Sequence, residues 1–196
     1  MPTGPEAALP APRLHAVLAA VRAMNAATDD AFLPTVLRAA ADLLPCDSVA
    51  YHELDTRGPA PRERRQLVEP RYAGRGAPVE AYHRHLAQHP VFAALAGDPL
   101  ATGTCVALSD VVAAAGFRRL PLYTEYYRHR RIADQLVAVI GGSPGRTASL
   151  VVNRSRRGFS PADRAVLRLF LPHLQQALRH RARVARLGRA AAGPDA

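Results

Sequence analysis

Residues 133–189, ADQLVAVIGGSPGRTASLVVNRSRRGFSPADRAVLRLFLPHLQQALRHRARVARLGR, decide the fold of this chain. Two runs rich in β-branched residues, Asp134 to Ile140 and Thr147 to Asn153, flank the Gly/Pro stretch GGSPGR, and this pattern predicts a β-hairpin. In the second run Ala148, Leu150 and Val152 alternate with more polar residues, which is the period of a strand with one apolar face.

A long helix is predicted directly after the hairpin. Ser160 suits the N-cap, Pro161 suits the first helical position, and Asp163 can close a capping box with Ser160. Pro172 lies inside the helix, removes one backbone donor and is expected to bend it. An apolar stripe recurs at helical spacing, formed by Val166, Leu167, Phe170, Leu171, Leu174 and Leu178.

The rest of the chain must cover this helix and the hairpin. Further helices are predicted over Arg13–Ala27, Thr28–Leu44, Val79–His89 and Phe117–Arg130, the last of them interrupted or started by Pro121. Further strands are predicted over Asp47–Leu54, Gln66–Tyr72 and Thr104–Leu108, with a polar connection over Arg57–Arg65. The first helix presents a stripe formed by Leu14, Val17, Leu18, Val21 and Met24.

This order of elements predicts an α+β fold. A central antiparallel sheet carries helices on both faces and ends in the long C-terminal helix. We expect the first, second and last helices to pack on one face of the sheet, and the Tyr- and His-bearing helices to cover the other. A cavity is expected beneath those short, loop-connected helices.

Composition limits the class of protein. A chain of 196 residues is long enough for one domain, which we place at 13–187, with a flexible lead at 1–12 and a linker or tail at 188–196. Its two Cys make no disulfide framework, so a cytoplasmic location is expected. No apolar run approaches the roughly 20 residues that a membrane helix needs.

The net charge of +10 is uneven, because residues 154–196 hold ten Arg and two Asp and so carry +8 of it. This basic end, with Arg128, Arg130 and Arg131, leaves open direct binding of nucleic acid, although no recognition element accompanies the charge. We favour a solvated helix face, in which Arg179 and Arg183, with Leu174 and Leu178, flank a dimer or linker helix.

Aromatic side chains are the candidate ligand contacts, since Tyr combines apolar area with a polar tip. Ordinary core packing is the alternative for each one, and Tyr127 is adjacent to Tyr126 and cannot share its direction. The candidate set is Tyr51, Tyr72, Tyr82, His85, Phe92, Phe117, Tyr123 and Tyr126.

Enzyme and metal sites are weaker interpretations. His85 and His89 are spaced to share a helix face near His83, but no third ligand follows at a recognisable spacing, so neither a metal nor a cofactor is predicted. Cys46 and Cys105 begin predicted strands, where small buried residues are common. No hydrolase, nucleotide-binding or metalloprotease motif occurs, so no catalytic residue is assigned.

Several segments, taken in order, resemble a known family. LPCDSVAYHELD, EAYHRHLAQHPVFA, LSDVV, LYTEYYR, IADQLV and SLVVNRSRRGFSPADRAVLRLFLPHLQQAL are similar to the GAF-like sensor half of actinobacterial LuxR-type transcriptional regulators. The resemblance covers residues 28–187 and implies a GAF/PAS-like fold. The reductases that share this fold imply an alternative, a redox enzyme that uses Cys46 and Cys105.

The resemblance also implies a function. It suggests a domain that binds a small, mostly apolar effector, forms a homodimer and acts in transcription regulation. Such regulators continue into a helix-turn-helix domain, whereas this chain ends at LGRAAAGPDA. DNA contact is therefore expected only through a domain absent from this chain, and no membrane partner is expected.

Overall fold

The computed structural model describes residues 9–58, 61–69, 79–95, 103–143 and 145–192. The helices are α1 (Ala11–Ala26), α2 (Asp29–Leu43), α3 (Val79–His85), α4 (Pro90–Leu95), α5 (Leu108–Val111), α6 (Ala114–Arg118) and α7 (Pro161–Ala192). The strands are β1 (Ser48–Asp55), β2 (Arg62–Val68), β3 (Cys105–Ala107), β4 (Asp134–Ser143) and β5 (Arg146–Arg154). A 3₁₀ turn lies at Leu86–Gln88 and a π-helical turn at Tyr123–Tyr127.

The strands form one antiparallel sheet in the order β2-β1-β5-β4-β3. The predicted hairpin is confirmed, because β4 and β5 pair from Asp134 opposite Arg154 to Ser143 opposite Arg146. The pairing shifts register between Val139 and Gly141. Gly141 has φ 151° there, a backbone conformation that glycine adopts without steric cost.

The capping box of the long helix is also confirmed. The backbone N–H of Asp163 donates to Ser160 Oγ at 3.1 Å, and the N–H of Ser160 donates to Asp163 Oδ2 at 3.0 Å. The helix continues through Pro172 to Ala192, and the bend at Pro172 stays a prediction. Its stripe is buried at Val166, Leu167, Phe170, Leu171 and Leu174.

Two hydrophobic cores lie on opposite faces of the sheet, as predicted. One core joins α1, α2 and α7 to Val49 and Tyr51 of β1 and to Leu150 and Val152 of β5. The other joins α3, α6 and the π-helical turn to Leu54, Val137 and Val151. Neighbouring residues of each strand therefore face different cores, as the period of two requires.

One helix prediction needs correction. Leu14 and Leu18 are 41% and 53% exposed, because α1 packs through Val17, Ala20 and Met24 and Leu18 lies about 100° around the helix from Val17. The interruption predicted at Pro121 is confirmed, because the segment Phe117–Arg130 is divided between α6 and the π-helical turn. Pro121 lies between the two and lacks the N–H that a continuous helix needs.

The strands after β1 also differ from prediction. β2 begins at Arg62, inside the segment that was expected to be a connection. It pairs antiparallel with β1, and Arg64 and Arg65 form ion pairs with Asp55 and Glu53 of that strand. Residues 70–72, the end of the strand predicted at Gln66–Tyr72, lie outside the described residues. α5, in the segment LSDVV, was not predicted as a helix.

Candidate ligand-binding site

A cavity of about 30 Å³ lies between the sheet and the segments that cover its second face. We call residues 79–95 and 114–132 the cover. The sheet lines the cavity with Ser48, Ala50, His52, Gln66, Val68, Gln135, Val137, Ser149, Val151 and Asn153. The cover contributes Tyr82, His89, Phe92, Tyr126, Tyr127, Arg130 and Ile132. This volume holds about two water molecules, so a larger guest requires the cover to move.

A row of hydrogen bonds crosses three strands along one wall of the cavity. Asn153 Nδ2 donates to Ser48 Oγ at 3.0 Å, and Gln135 Nε2 donates to Asn153 Oδ1 at 2.6 Å. The row depends on strand register, because Asn153 is paired with Ser48 on one side and with Gln135 on the other. All three side chains are buried, and their mutual bonds satisfy polar groups that would otherwise be costly to bury.

His89 joins this row to the cover. Its Nε2 lies 2.8 Å from Gln135 Oε1, and its Nδ1 accepts a hydrogen bond from the backbone N–H of Val91 at 3.3 Å. Nδ1 is therefore an acceptor and Nε2 carries the proton, which is the neutral imidazole. Burial lowers the pKa of His89 to about 4, against the opposing effect of the bond to Gln135, so the ring stays uncharged at neutral pH.

Aromatic rings form the roof of the cavity. The ring centroids of Tyr82 and Tyr126 are 5.0 Å apart, those of Tyr126 and Tyr127 are 5.2 Å apart, and those of His89 and Phe92 are 4.8 Å apart. Burial raises the pKa of all three tyrosines. Their hydroxyls therefore stay protonated and keep their capacity to donate hydrogen bonds.

Two carboxylates fasten α3 to its neighbours. Glu63 of β2 lies 2.5 Å from Nδ1 of His52 and 2.7 Å from Nε2 of His83. Burial acts to raise the pKa of Glu63, but the bonds to His52 and His83 outweigh it and the pKa is lowered.

Glu125 of the π-helical turn lies 3.1 Å from Arg84 Nη1 and 3.0 Å from His85 Nε2. Half-exposed ion pairs of this kind contribute about 1 kcal/mol or less each. The pairs of Glu125 therefore add little to the attachment of α3, which is held mainly by the buried Ala81 and Tyr82 and by the buried carboxylate of Glu63.

The structure brings together part of the predicted ligand set. Tyr82, Phe92 and Tyr126 line the cavity. Tyr51 is on the opposite face of the sheet, in the core with α7, because neighbouring strand residues alternate. Tyr72 lies outside the described residues.

Three further residues of that set belong to the cover without lining the cavity. Phe117 is buried beneath Tyr123 and Tyr127, with ring centroids 5.1 and 5.5 Å away. Tyr123 packs at the edge of the same core, and His85 turns toward Glu125. Because the segment is divided at Pro121, the side chains of Phe117 and Tyr123 point in directions that they would not share on one continuous helix.

The polar residues of the wall are absent from the predicted set. Ser48, Gln135, Ser149 and Asn153 are buried and line the cavity beside apolar side chains such as Val137, so the surroundings are mixed and the mostly apolar guest stays a prediction. The signal that could have found them is the alternation within β5, where polar residues lie opposite the apolar face.

The predicted dimer or linker residues divide into two groups. Leu174 is fully buried and Leu178 packs against the same core, so both face the body of their own chain. Arg179 and Arg183 are not buried. The large apolar side chains that α7 exposes are instead Leu169, Val184 and Leu187.

Neither cysteine lies at the cavity. Cys46 and Cys105 are half-buried and pack against the opposite core. Burial raises the pKa of Cys105 to about 11, with Arg168 and Arg164 acting against the rise. A thiol with so high a pKa is a poor nucleophile at neutral pH, which disfavours the redox-enzyme interpretation.

The three histidines of the predicted metal alternative do not converge. His83, His85 and His89 face Glu63, Glu125 and Gln135 respectively. Within the described residues no group of three or more His, Cys, Asp or Glu side chains could hold a metal ion. The helix that would have aligned His85 with His89 ends between them, at the 3₁₀ turn.

No protein-family model and no characterised protein sequence matches the chain. Solved structures match it in fold. The VqsR LBD domain from Pseudomonas aeruginosa is 15% identical with a TM-score of 0.61, covering 87% of this chain and 98% of its own. CepR2 from Burkholderia cenocepacia, an N-acylhomoserine lactone dependent LuxR family transcription factor, is 18% identical with a TM-score of 0.51, covering 86% and 91%.

A GAF domain of a putative sensor histidine kinase from Pseudomonas syringae pv. tomato is 15% identical with a TM-score of 0.53, covering 92% of this chain and 94% of its own. These similarities establish the fold, which is GAF-like. The five-stranded antiparallel sheet, the helices on both faces and the long C-terminal helix agree with it. In the described part of the chain, no helix has the length and apolar character needed to cross a membrane.

Proposed function

We propose that this chain is the sensing domain of a LuxR-type transcriptional regulator and that it binds a small molecule in the cavity between the sheet and the cover. The observation that carries the proposal is the buried row Ser48–Asn153–Gln135–His89, which lines the cavity and joins the sheet to the cover. A wall that needs only to fill a core would be apolar, because buried polar groups add little net stability.

The size of the cavity agrees with a sensing role. The cavity is too small for an effector while the cover is closed, so binding requires α3 or the π-helical turn to shift. A ligand changes an equilibrium between two arrangements only if it binds one of them better. A guest that fits only beneath a displaced cover meets that condition.

The base of the site is joined to the start of α7. Asp134 and Arg154 are cross-strand partners and directly neighbour Gln135 and Asn153 of the cavity wall. Asp134 is fully buried, and its carboxylate accepts hydrogen bonds from the backbone N–H groups of Ser109 at 3.0 Å and Gly158 at 2.7 Å.

Arg154 completes this junction. Its Nη1 donates to the carbonyl of Gly158 at 3.1 Å, and its Nη2 lies 3.1 Å from Asp163 Oδ2 in the capping box of α7. The guanidinium also lies over the ring of Phe159, 4.1 Å from its centre. A shift of the wall would therefore move the first turn of α7, and we propose that α7 passes this movement to a DNA-binding domain outside this chain.

A homodimer is the second part of the proposal, with α1 and α7 as the shared surface. Leu14, Leu18 and Asn25 follow one another at helical spacing on α1. Asn25 lines a groove of about 380 Å³ with His173, Gln176, His180 and Val184 of α7. The exposed leucines therefore flank a groove between two packed helices, and a second copy would bury them.

Sedimentation equilibrium tests the dimer. Leu18→Glu combined with Val184→Glu is expected to convert a dimer into a monomer, because charged side chains are then placed in an apolar interface. Ala19→Glu is the matched control, since Ala19 is exposed on α1 and lies about 100° around the helix from Leu18. A wild-type monomer, or equal dissociation in the control, would refute the surface.

The binding function is tested by filling the cavity. Ala50 lines the cavity, whereas Ala148 lies on the opposite face of the sheet. Each protein is equilibrated with a bacterial small-molecule extract, washed and denatured, and the released compounds are identified by mass spectrometry. We expect a compound released from wild type and from Ala148→Val, and absent from Ala50→Val. Equal release from the two variants would contradict the proposed site.

A further inference from the structure

The cavity has more free hydrogen-bond donors than acceptors. Arg130 lines it, with Nη1 donating to the Tyr126 hydroxyl at 3.3 Å and the guanidinium 5.4 Å from the centre of the Tyr126 ring. Among the described residues no carboxylate lies within 4 Å of this guanidinium. An arginine has five N–H donors, so most of those on Arg130 are left for another partner.

Two hydroxyls add to this surplus. Tyr127 is 1% exposed and its hydroxyl makes no hydrogen bond to a described residue, although it lies close to Gln135. Ser149 is 3% exposed, lines the same cavity and makes no side-chain hydrogen bond within the described part of the chain. Leaving the Tyr127 hydroxyl unpaired in a protein interior costs about 1–3 kcal/mol, so it indicates a further hydrogen-bonding partner, and both hydroxyls can donate to one.

The acceptors of the cavity wall are already occupied. The side-chain oxygen of Gln135 faces Nε2–H of His89, that of Asn153 accepts from Gln135, and the hydroxyl of Ser48 accepts from Asn153. The hydroxyls of Tyr127 and Ser149 can pair with either a donor or an acceptor, but the guanidinium of Arg130 only donates. A guest that brings acceptors can therefore pair with all three groups, whereas a guest that brings only donors leaves Arg130 without a partner.

The charges around the cavity agree with an anionic guest. The negative charge of Glu63 helps to raise the pKa of the tyrosines of the roof. Glu63 does not line the cavity, however, and its two carboxylate oxygens are bonded to His52 and His83. Arg130 lies near enough to Tyr127 to act against the rise in its pKa that burial causes. The cation and the unpaired hydroxyl line the same cavity.

On the basis of the proposed sensing function, we propose that the ligand carries a carboxylate, which is bound by the Arg130 guanidinium and the hydroxyls of Tyr127 and Ser149. A carboxylate has three heavy atoms, which suits a cavity of about 30 Å³. The remainder of the molecule occupies the space that opens when the cover shifts. Charge-assisted hydrogen bonds of this kind are about twice as strong as neutral ones.

The test compares acids with amides of the same shape. Sodium acetate, butyrate and hexanoate and the corresponding amides are titrated by calorimetry at constant ionic strength. The proteins are wild type, Arg130→Gln, Tyr127→Phe and the control Arg128→Gln, which removes an exposed arginine from the same turn. Circular dichroism and urea midpoints identify any variant that is not folded. Tyr127→Phe leaves the charge of Arg130 in place, so the test still gives a result if Arg130→Gln unfolds.

We expect the acids to bind wild type and Arg128→Gln at least about tenfold more tightly than Arg130→Gln or Tyr127→Phe, and the amides to bind more weakly than the acids. Equal affinity of acids and amides, or an equal loss in Arg128→Gln, would overturn the carboxylate assignment. If neutral compounds from the extract bind wild type but not Ala50→Val, while no acid binds, this inference fails and the proposed function stands. If nothing binds in the cavity, both fail.

Discussion

Lowering the pH should destabilise this protein through His89. The imidazole is buried, neutral and bonded to Gln135, with a pKa of about 4 against 6.5 for the free side chain. Unfolding exposes the ring, which then binds a proton below pH 6.5. The stabilisation that depends on neutral His89 is therefore present above pH 6.5 and is lost as the pH falls toward 4.

The magnitude follows from these two pKa values. At pH 5 the unfolded imidazole is almost fully protonated, whereas only about a tenth of the folded molecules carry the proton. The free energy of unfolding should fall by about 2 kcal/mol between pH 7 and pH 5 from His89 alone, and by about 3 kcal/mol once the pH is well below 4. Urea denaturation followed by circular dichroism at pH 7 and pH 5 measures the difference.

His89→Gln removes the titrating group and keeps a donor and an acceptor. We expect this variant to be less stable at pH 7 and to lose about 2 kcal/mol less than wild type between pH 7 and pH 5. His129→Gln is the matched control, because His129 is exposed, and it should retain the wild-type pH dependence. The reasoning is refuted if His89→Gln and wild type lose the same free energy over this interval.

Four further predictions concern the junction, the exposed end of α7 and the thiol. Gly158 has φ 91°, so Gly158→Ala should lower the free energy of unfolding by about 1–2 kcal/mol. Gly188→Ala, on the exposed part of α7, should raise the free energy of unfolding by about 0.5–1 kcal/mol. Urea denaturation measures the sign of both changes. Asp134→Asn exchanges an acceptor for a donor at buried N–H groups and should cost about 2–4 kcal/mol, which an unchanged urea midpoint would contradict. Because the pKa of Cys105 is about 11, iodoacetamide should label this thiol at pH 7.5 roughly a hundredfold more slowly in the folded protein than in urea. Mass spectrometry measures both labelling rates. Equal rates would contradict the burial of the Cys105 side chain.

Local signals made much of the fold predictable. The turn GGSPGR and the residues Ser160, Pro161 and Asp163 each specify a conformation within a few residues of themselves, so the hairpin and the start of α7 follow from the sequence. The alternation along β1 and β5 likewise separates the two faces of the sheet. These features depend on neighbours in the chain rather than on packing.

The candidate site depends on contacts that are distant in sequence. The row from Ser48 to His89 exists only because β1, β5 and β4 are adjacent in a fixed register, and no local pattern specifies that order. Tyr51 and Tyr82 are equally plausible ligand contacts in the sequence, yet the sheet separates them. The exposure of Leu14 and Leu18 was missed for a related reason, since the width of a buried helix face depends on its partners.

Methyl groups on either side of the sheet offer the most direct test of the proposed site. Val137 and Val151 face the cavity, whereas their neighbours Leu136 and Val152 face the opposite core. We predict that a compound released from wild type but not from Ala50→Val will shift the ¹³C-methyl NMR signals of Val137 and Val151 and leave those of Leu136 and Val152 nearly unchanged. Larger shifts at Leu136 and Val152, or shifts confined to the groove between α1 and α7, would contradict a ligand site beneath the cover.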